Sequence, residues 1–145
     1  MGRCALHIET SIDIEAAPEA VWQVLIAVER WPEWTASMRR IEHLDAGGLG
    51  PGSRLRIKQP RLPSGIWEVT DFQAGQRFSW SLRSPGATTL AEHLLEARPD
   101  GGTRVLLRVE QSGILARILS PLYTDLSRRY MAMEAEGLKA RCESR

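Results

Sequence analysis

The sequence predicts an α+β domain in which a curved antiparallel sheet wraps a long C-terminal helix. Three observations carry that expectation: period-two alternation near the N-terminus, a series of strand-like segments joined by short turns, and a closing stretch with helical periodicity. The 145 residues are an ordinary size for one domain and suffice to bury a core without disulfides or metal, so residues 1–145 are read as a single domain.

The first strand is expected from Ile8 to Glu15, with Ile8, Thr10, Ile12 and Ile14 on one face and Glu9, Ser11, Asp13 and Glu15 on the other. Pro18 follows at a first helical position, and Val21, Trp22, Val24, Leu25 and Val28 recur at helical spacing. Trp31-Pro32-Glu33-Trp34 ends that helix, because the residue before a proline is driven out of the helical region. A second strand is expected over Met38–Leu44, followed by the glycine-rich loop Asp45 to Gly52. That loop has no Lys-Ser/Thr after it and opens into a strand, so it is read as a mobile loop and not as a phosphate cradle.

Five further strands are expected over Ser53–Gln59, Ile66–Phe72, Gln76–Leu82, Thr88–Ala97 and Thr103–Gln111. Pro60 to Gly65, Ala74-Gly75, Ser84-Pro85-Gly86 and Pro99-Asp100-Gly101-Gly102 are the turns between them, which makes the stretch a meander. From Gly113 the chain is helical. Ser120-Pro121 reads as a cap and first position, giving a short turn up to Leu119 and then a long helix from Pro121 to about Arg141. Its inner face is expected to carry Leu122, Leu126, Tyr130, Met133 and Gly137, with Gly137 permitting a close backbone approach.

Composition excludes several partners. The 19 basic residues nearly cancel the 18 acidic ones, and the arginines are scattered without forming the stripe of a nucleic-acid reader. No run of about eighteen apolar residues occurs, so no stable membrane insertion is expected. The segment Met1 to Glu9 lacks the apolar core of a signal peptide, and the cytoplasm is the expected compartment. Cys4 and Cys142 lack zinc or redox spacing and are expected to be free thiols. Histidine-rich metal spacing, a nucleophile elbow and a dinucleotide fingerprint are all missing, so no cofactor is expected.

The order of elements and several short segments resemble the START-like superfamily of polyketide cyclase/dehydrase and lipid-transport proteins, whose fold is the helix grip. Ile12 to Trp22 is similar to that family's opening strand and helix, and Trp31-Pro32-Glu33-Trp34 to its short second helix. Pro51-Gly52-Ser53-Arg54 resembles the entry to its third strand, Trp67 to Phe72 its fourth strand, and Gly101 to Val105 the turn into its last strand. The resemblance covers nearly the whole chain. It implies about seven strands around the terminal helix and a container for a hydrophobic or aromatic small molecule, and it names no substrate.

Candidate lining residues follow from phase. Trp67, Trp80 and His93 share the inward face with Leu55, Ile57, Val69, Phe78, Val105 and Leu107. The two indoles serve either as core or as flat ligand walls with N–H donors. His93 is either a hydrogen-bonded core histidine or a group that orients a ligand. Tyr123 and Tyr130 lie one heptad apart on one side of the helix, with Met133 beside them. Asp71 shares the phase of Trp67 and Val69.

Three functions are compatible with this pattern. The first is a carrier or sensor of an apolar metabolite, bound by Trp67, Trp80, His93, Tyr123, Tyr130 and Met133. The second is a cyclase- or dehydratase-type enzyme, with His93 as general base and Tyr130 polarising a carbonyl oxygen. The third is a module docking on a protein or membrane through Leu49 and Leu62, which look exposed in their turns. The cavity entrance is expected beneath the loops Asp45 to Gly52 and Pro60 to Gly65, near Leu119 to Tyr123.

Overall fold

Alternating apolar residues need one face buried, and seven strands meet that need together. The computed structural model describes residues 4–144. Its elements are β1 (Cys4–Ile14), α1 (Pro18–Ile26), a 3-10 helix (Val28–Glu33), β2 (Arg40–His43), β3 (Arg54–Lys58), β4 (Gly65–Gln73), β5 (Arg77–Ser84), β6 (Ala87–Ala97), β7 (Thr103–Ser112) and α2 (Ile114–Glu143). The strands form one curved antiparallel sheet in the order β1-β7-β6-β5-β4-β3-β2. The meander from β2 to β7 is closed by β1, which pairs along β7 from Leu6↔Gln111 to Ile14↔Thr103.

The concave face carries Ile8, Ile14, Leu55, Ile57, Trp67, Val69, Phe78, Trp80, His93, Val105 and Leu107, all buried. One strand breaks its phase. A bulge between Val69 and Asp71 inserts an extra residue, so Asp71 leaves the inward set and pairs with Arg77 at 2.8 Å. The bulge also turns Phe72 toward the core, where its ring meets Trp22 edge-on at 5.6 Å. The expectation that Asp71 follows Trp67 and Val69 is corrected accordingly.

α1 begins on Pro18 without a side-chain cap, and the 3-10 helix follows one residue after it. Trp31 explains the tight connection. Its indole Nε1 donates to the carbonyl of Leu25 at 2.9 Å, satisfying one of the groups that the end of α1 leaves open. The same fully buried ring lies between Trp34, Trp80 and His93, at 5.2, 5.3 and 5.5 Å between centroids. The Trp-Pro-Glu-Trp segment is thus a wedge that fixes α1 to the sheet.

α2 runs unbroken through the expected break at Ser120-Pro121. Pro121 lacks the N–H that would reach the carbonyl of Arg117, and the Ser120 hydroxyl donates to that carbonyl at 3.2 Å instead. Thr124 Oγ1 donates to the Ser120 carbonyl at 2.6 Å, which ties the next turn. The start of α2 has no side-chain cap; the carbonyl of Gly86 accepts from the N–H groups of Leu115 and Ala116 at 2.9 and 3.3 Å. Gly113 sits at φ 109° against Gly86, where a Cβ would collide with the Gly86 carbonyl oxygen. Farther along, a Cβ at Gly137 would collide with the carbonyl oxygen of Trp34, so the wedge and the helix meet backbone to backbone.

The buried stripe of α2 is Met131, Ala135, Leu138 and Cys142, packed in the main core cluster. This differs from the expected face. Leu122 is 72% exposed and Met133 is only partly buried, because Met133 lies two residues, or roughly 200° of helix rotation, from Met131. Cys142 is a free thiol, pushed up to about 11 by burial, while the side chain of Cys4 lies outside the described residues. Among the described residues no helix is long and apolar enough to cross a membrane.

Candidate functional site

The two halves of α2 do different things. Its C-terminal half packs directly on the core, whereas its N-terminal half, from Leu115 to Glu134, stands off the sheet over a cavity of about 240 Å³. The floor comes from alternate residues of the strands: Ile57 on β3, Trp67 on β4, Trp80 and Leu82 on β5, Thr89, Ala91 and His93 on β6, and Leu107, Val109 and Gln111 on β7. Small residues at the centre, Thr89 and Ala91, leave the space that larger ones would fill.

Five of the six candidate lining residues, Trp67, Trp80, His93, Tyr123 and Tyr130, are brought to this one cavity. Met133 is not. Its place is taken by Met131, which the stripe read from the sequence left out. Trp67 and Trp80 stand 6.1 Å apart at 55°, forming a bent wall. The Tyr130 hydroxyl donates to the carbonyl oxygen of Pro60 and so ties the turn Pro60 to Gly65 to the helix. Leu62 and Pro63 from that turn line the cavity, as do Leu119 and Tyr123.

The glycine-rich loop does not take part. No residue from 45 to 52 lines the cavity, and the loop folds back on the start of β3, with Arg54 N donating to Asp45 Oδ2 at 2.8 Å and Gly50 N to Ser53 Oγ at 2.9 Å. Leu49 packs on the core, and Leu62 turns to the cavity, so neither is the exposed hydrophobe expected from its turn. Among the described residues the large exposed apolar side chains are Ile114, Leu115, Ile118 and Leu122 on α2, with Ile66 on the sheet. Basic residues that look scattered in the sequence also gather: Arg39, Arg40, Arg56 and Lys58 share an open hollow on the outer side of β2 and β3 with Glu42 and Ser64.

His93 is 3% exposed, and its Nδ1 lies 3.2 Å from the carbonyl oxygen of Phe78. A carbonyl only accepts, so Nδ1 carries the proton and Nε2 keeps its lone pair. Burial pulls the imidazole down to about 4, with the Phe78 hydrogen bond opposing in part. The ring is therefore neutral at pH 7, with one acceptor left over.

Sequence periodicity missed Glu134. It lies one turn beyond Tyr130, is partly buried and lines the cavity. Burial alone pushes its carboxyl up to about 8, so it is protonated at neutral pH. A carboxyl at the i+4 position from Tyr130 is the signal that could have found it. Among the described residues, no group of three or more His, Cys, Asp or Glu side chains is placed to hold a metal ion.

Similar folds are known. A hypothetical protein from Helicobacter pylori superposes with a TM-score of 0.85 at 16% identity, over 97% of this chain and 89% of that one. A START superfamily protein from Mycobacterium smegmatis gives 0.78 at 14% identity over 94% and 97% of the two chains. The Zhui aromatase/cyclase from Streptomyces gives 0.77 at 14% identity over 95% and 93%. At these identities the likeness is one of fold. No curated protein matches the sequence significantly. The family described as polyketide cyclase/dehydrase and lipid transport, by contrast, matches residues 5–143, nearly everything from the first strand to the end of α2. By that match, and with a seven-stranded sheet around a terminal helix, the chain belongs to the polyketide cyclase/dehydrase and lipid-transport family.

Proposed function

We propose that the protein binds one hydrophobic or aromatic small molecule between the sheet and the N-terminal half of α2, as a carrier or sensor. The observation that carries this reading is the cavity itself: about 240 Å³ of mostly apolar space with two indole walls, beside a packed core cluster. Ligand residues in this reading are Trp67, Trp80, His93, Tyr123 and Tyr130, joined by Met131 and Glu134 in place of Met133. A neutral apolar dye, N-phenyl-1-naphthylamine, tests it. Saturable fluorescence enhancement at one dye per chain is expected, and an Ala91→Phe variant, which fills the floor of the cavity, is expected to lose it. Enhancement that is unsaturable or unchanged in the variant would contradict the reading.

A second reading, an enzyme of the cyclase or dehydratase type with His93 as general base, has one observation in its favour. The Phe78 carbonyl fixes the Nδ1–H tautomer, which leaves Nε2 as an unprotonated base in the cavity lining. Tyr130 is less suited to its part, because its proton is engaged by Pro60. In this reading a pH–rate profile on the acid side falls near 4 and not near the ordinary imidazole value. Turnover unaffected by His93→Gln would exclude it.

A further inference from the structure

Among the described residues Glu134 has no partner: it lines the cavity, and no described side chain bonds or pairs with it. Two other lining atoms share this condition. Gln111 Oε1 is buried without a partner while its Nε2 donates to Thr89 Oγ1 at 3.3 Å, and His93 Nε2 has none after Nδ1 is engaged by Phe78. Buried polar groups are normally satisfied, so an open carboxyl and two open acceptors around one space describe what is to enter it.

The charges agree with the acceptors. Among the described residues of the lining the one arginine or lysine is Arg108, whose side chain points to the outer face of the sheet, where its Nε donates to Glu9 Oε1 at 3.3 Å. Glu92 also faces outward, opposite Ser79 and Arg108 in register. Besides Glu92 and Arg108, the titratable groups that share the lining with Glu134 are His93 from β6 and Tyr123 and Tyr130 from its own helix, none of these three cationic at pH 7. Trp67 and Trp80 add electron-rich ring faces, which attract organic cations.

We propose that the cavity takes a hydrophobic amine, with its ammonium group at Glu134 and its apolar body against Trp67 and Trp80. The inference rests on the cavity being a ligand site and narrows the ligand's class. An ammonium supplies three N–H donors and a positive charge where the lining supplies acceptors, π faces and a carboxyl. A carboxylate ligand meets Glu134 with no cation to balance it, and an alcohol answers one acceptor only. Binding moves one proton: Glu134–COOH plus R–NH3+ gives Glu134–COO− paired with R–NH3+, and the released proton passes to the buffer.

The test is calorimetric titration at pH 7 with 2-(1-naphthyl)ethylamine and with 2-(1-naphthyl)ethanol, which has the same ring and chain. The amine is expected to bind at least about tenfold tighter than the alcohol. Comparing two buffers of different ionisation enthalpy, it is expected to release close to one proton per molecule, and the alcohol none. Glu134→Gln is expected to bind the two with equal affinity. Equal binding by the unaltered protein, or an amine preference that survives Glu134→Gln, overturns the inference while leaving the cavity a ligand site. Binding of neither compound overturns both.

Discussion

The ring of His93 lies flat on the ring of Phe78, centroids 4.3 Å apart and 21° between planes, while its Nδ1 donates to the Phe78 carbonyl at 3.2 Å. One residue thus holds the imidazole twice, by its side chain and by its backbone. Because the folded value of about 4 lies below the ordinary 6.5, the unfolded chain takes up a proton first as pH falls. The stability His93 contributes is complete above the unfolded value and is lost between pH 6.5 and 4, by about 3 kcal/mol in all. Urea unfolding at pH 7 and pH 4.5 checks this. The difference between the two is expected to shrink in His93→Phe; an equal pH dependence in both proteins would contradict it.

Glu134 works in the opposite sense. Its folded value of about 8 exceeds the ordinary 4.5, so the folded state holds a proton that the unfolded state has released. Stability is intact below 4.5 and falls as pH rises through 8, with a penalty of about 3 kcal/mol at pH 7. Glu134→Gln is expected to raise the unfolding free energy at pH 7 and to change it little at pH 4. A variant less stable than the parent at pH 7 would show that the carboxyl has a partner.

Gly137→Ala tests the meeting of α2 with the wedge. Helix propensity favours alanine by about 1 kcal/mol, yet the new methyl would strike the Trp34 carbonyl, and overpacking against backbone costs about 1–3 kcal/mol or more. Net destabilisation is expected in thermal unfolding, and a gain in melting temperature would place the helix farther from Trp34.

Tyr130→Phe removes the tie to Pro60 and leaves the ring in place. The loss is expected to be about 0.5–1.5 kcal/mol. Hydrogen exchange is expected to quicken in the turn Pro60 to Gly65 and to stay unchanged in the loop Asp45 to Gly52, which has its own bonds to Ser53 and Arg54. Equal quickening in both loops would separate the turn from the hydroxyl.

Most of the sheet was legible because alternation is a local property: Leu55 and Ile57, Trp67 and Val69, and Phe78 and Trp80 face the core as their spacing requires. The failures have non-local causes. The bulge at Val69/Asp71 adds a residue that no period announces. Pro121 reads as a helix start, yet the Ser120 hydroxyl takes over the carbonyl that the proline leaves open. Met133 for Met131 is an error of helix phase within a stripe of which Leu126 and Tyr130 line the cavity and Leu122 is exposed. Glu134 was invisible for a deeper reason: a carboxyl reads as surface, and only the hollow between α2 and the sheet makes it interior.

Native mass spectrometry of the protein purified from its own host tests the central claim most directly. The expected result is a 1:1 complex with a small hydrophobic molecule in the unaltered protein, and the bare chain mass for Ala91→Phe prepared in the same way. A bare mass for both proteins, or an adduct retained equally by Ala91→Phe, would contradict a ligand site between the sheet and α2.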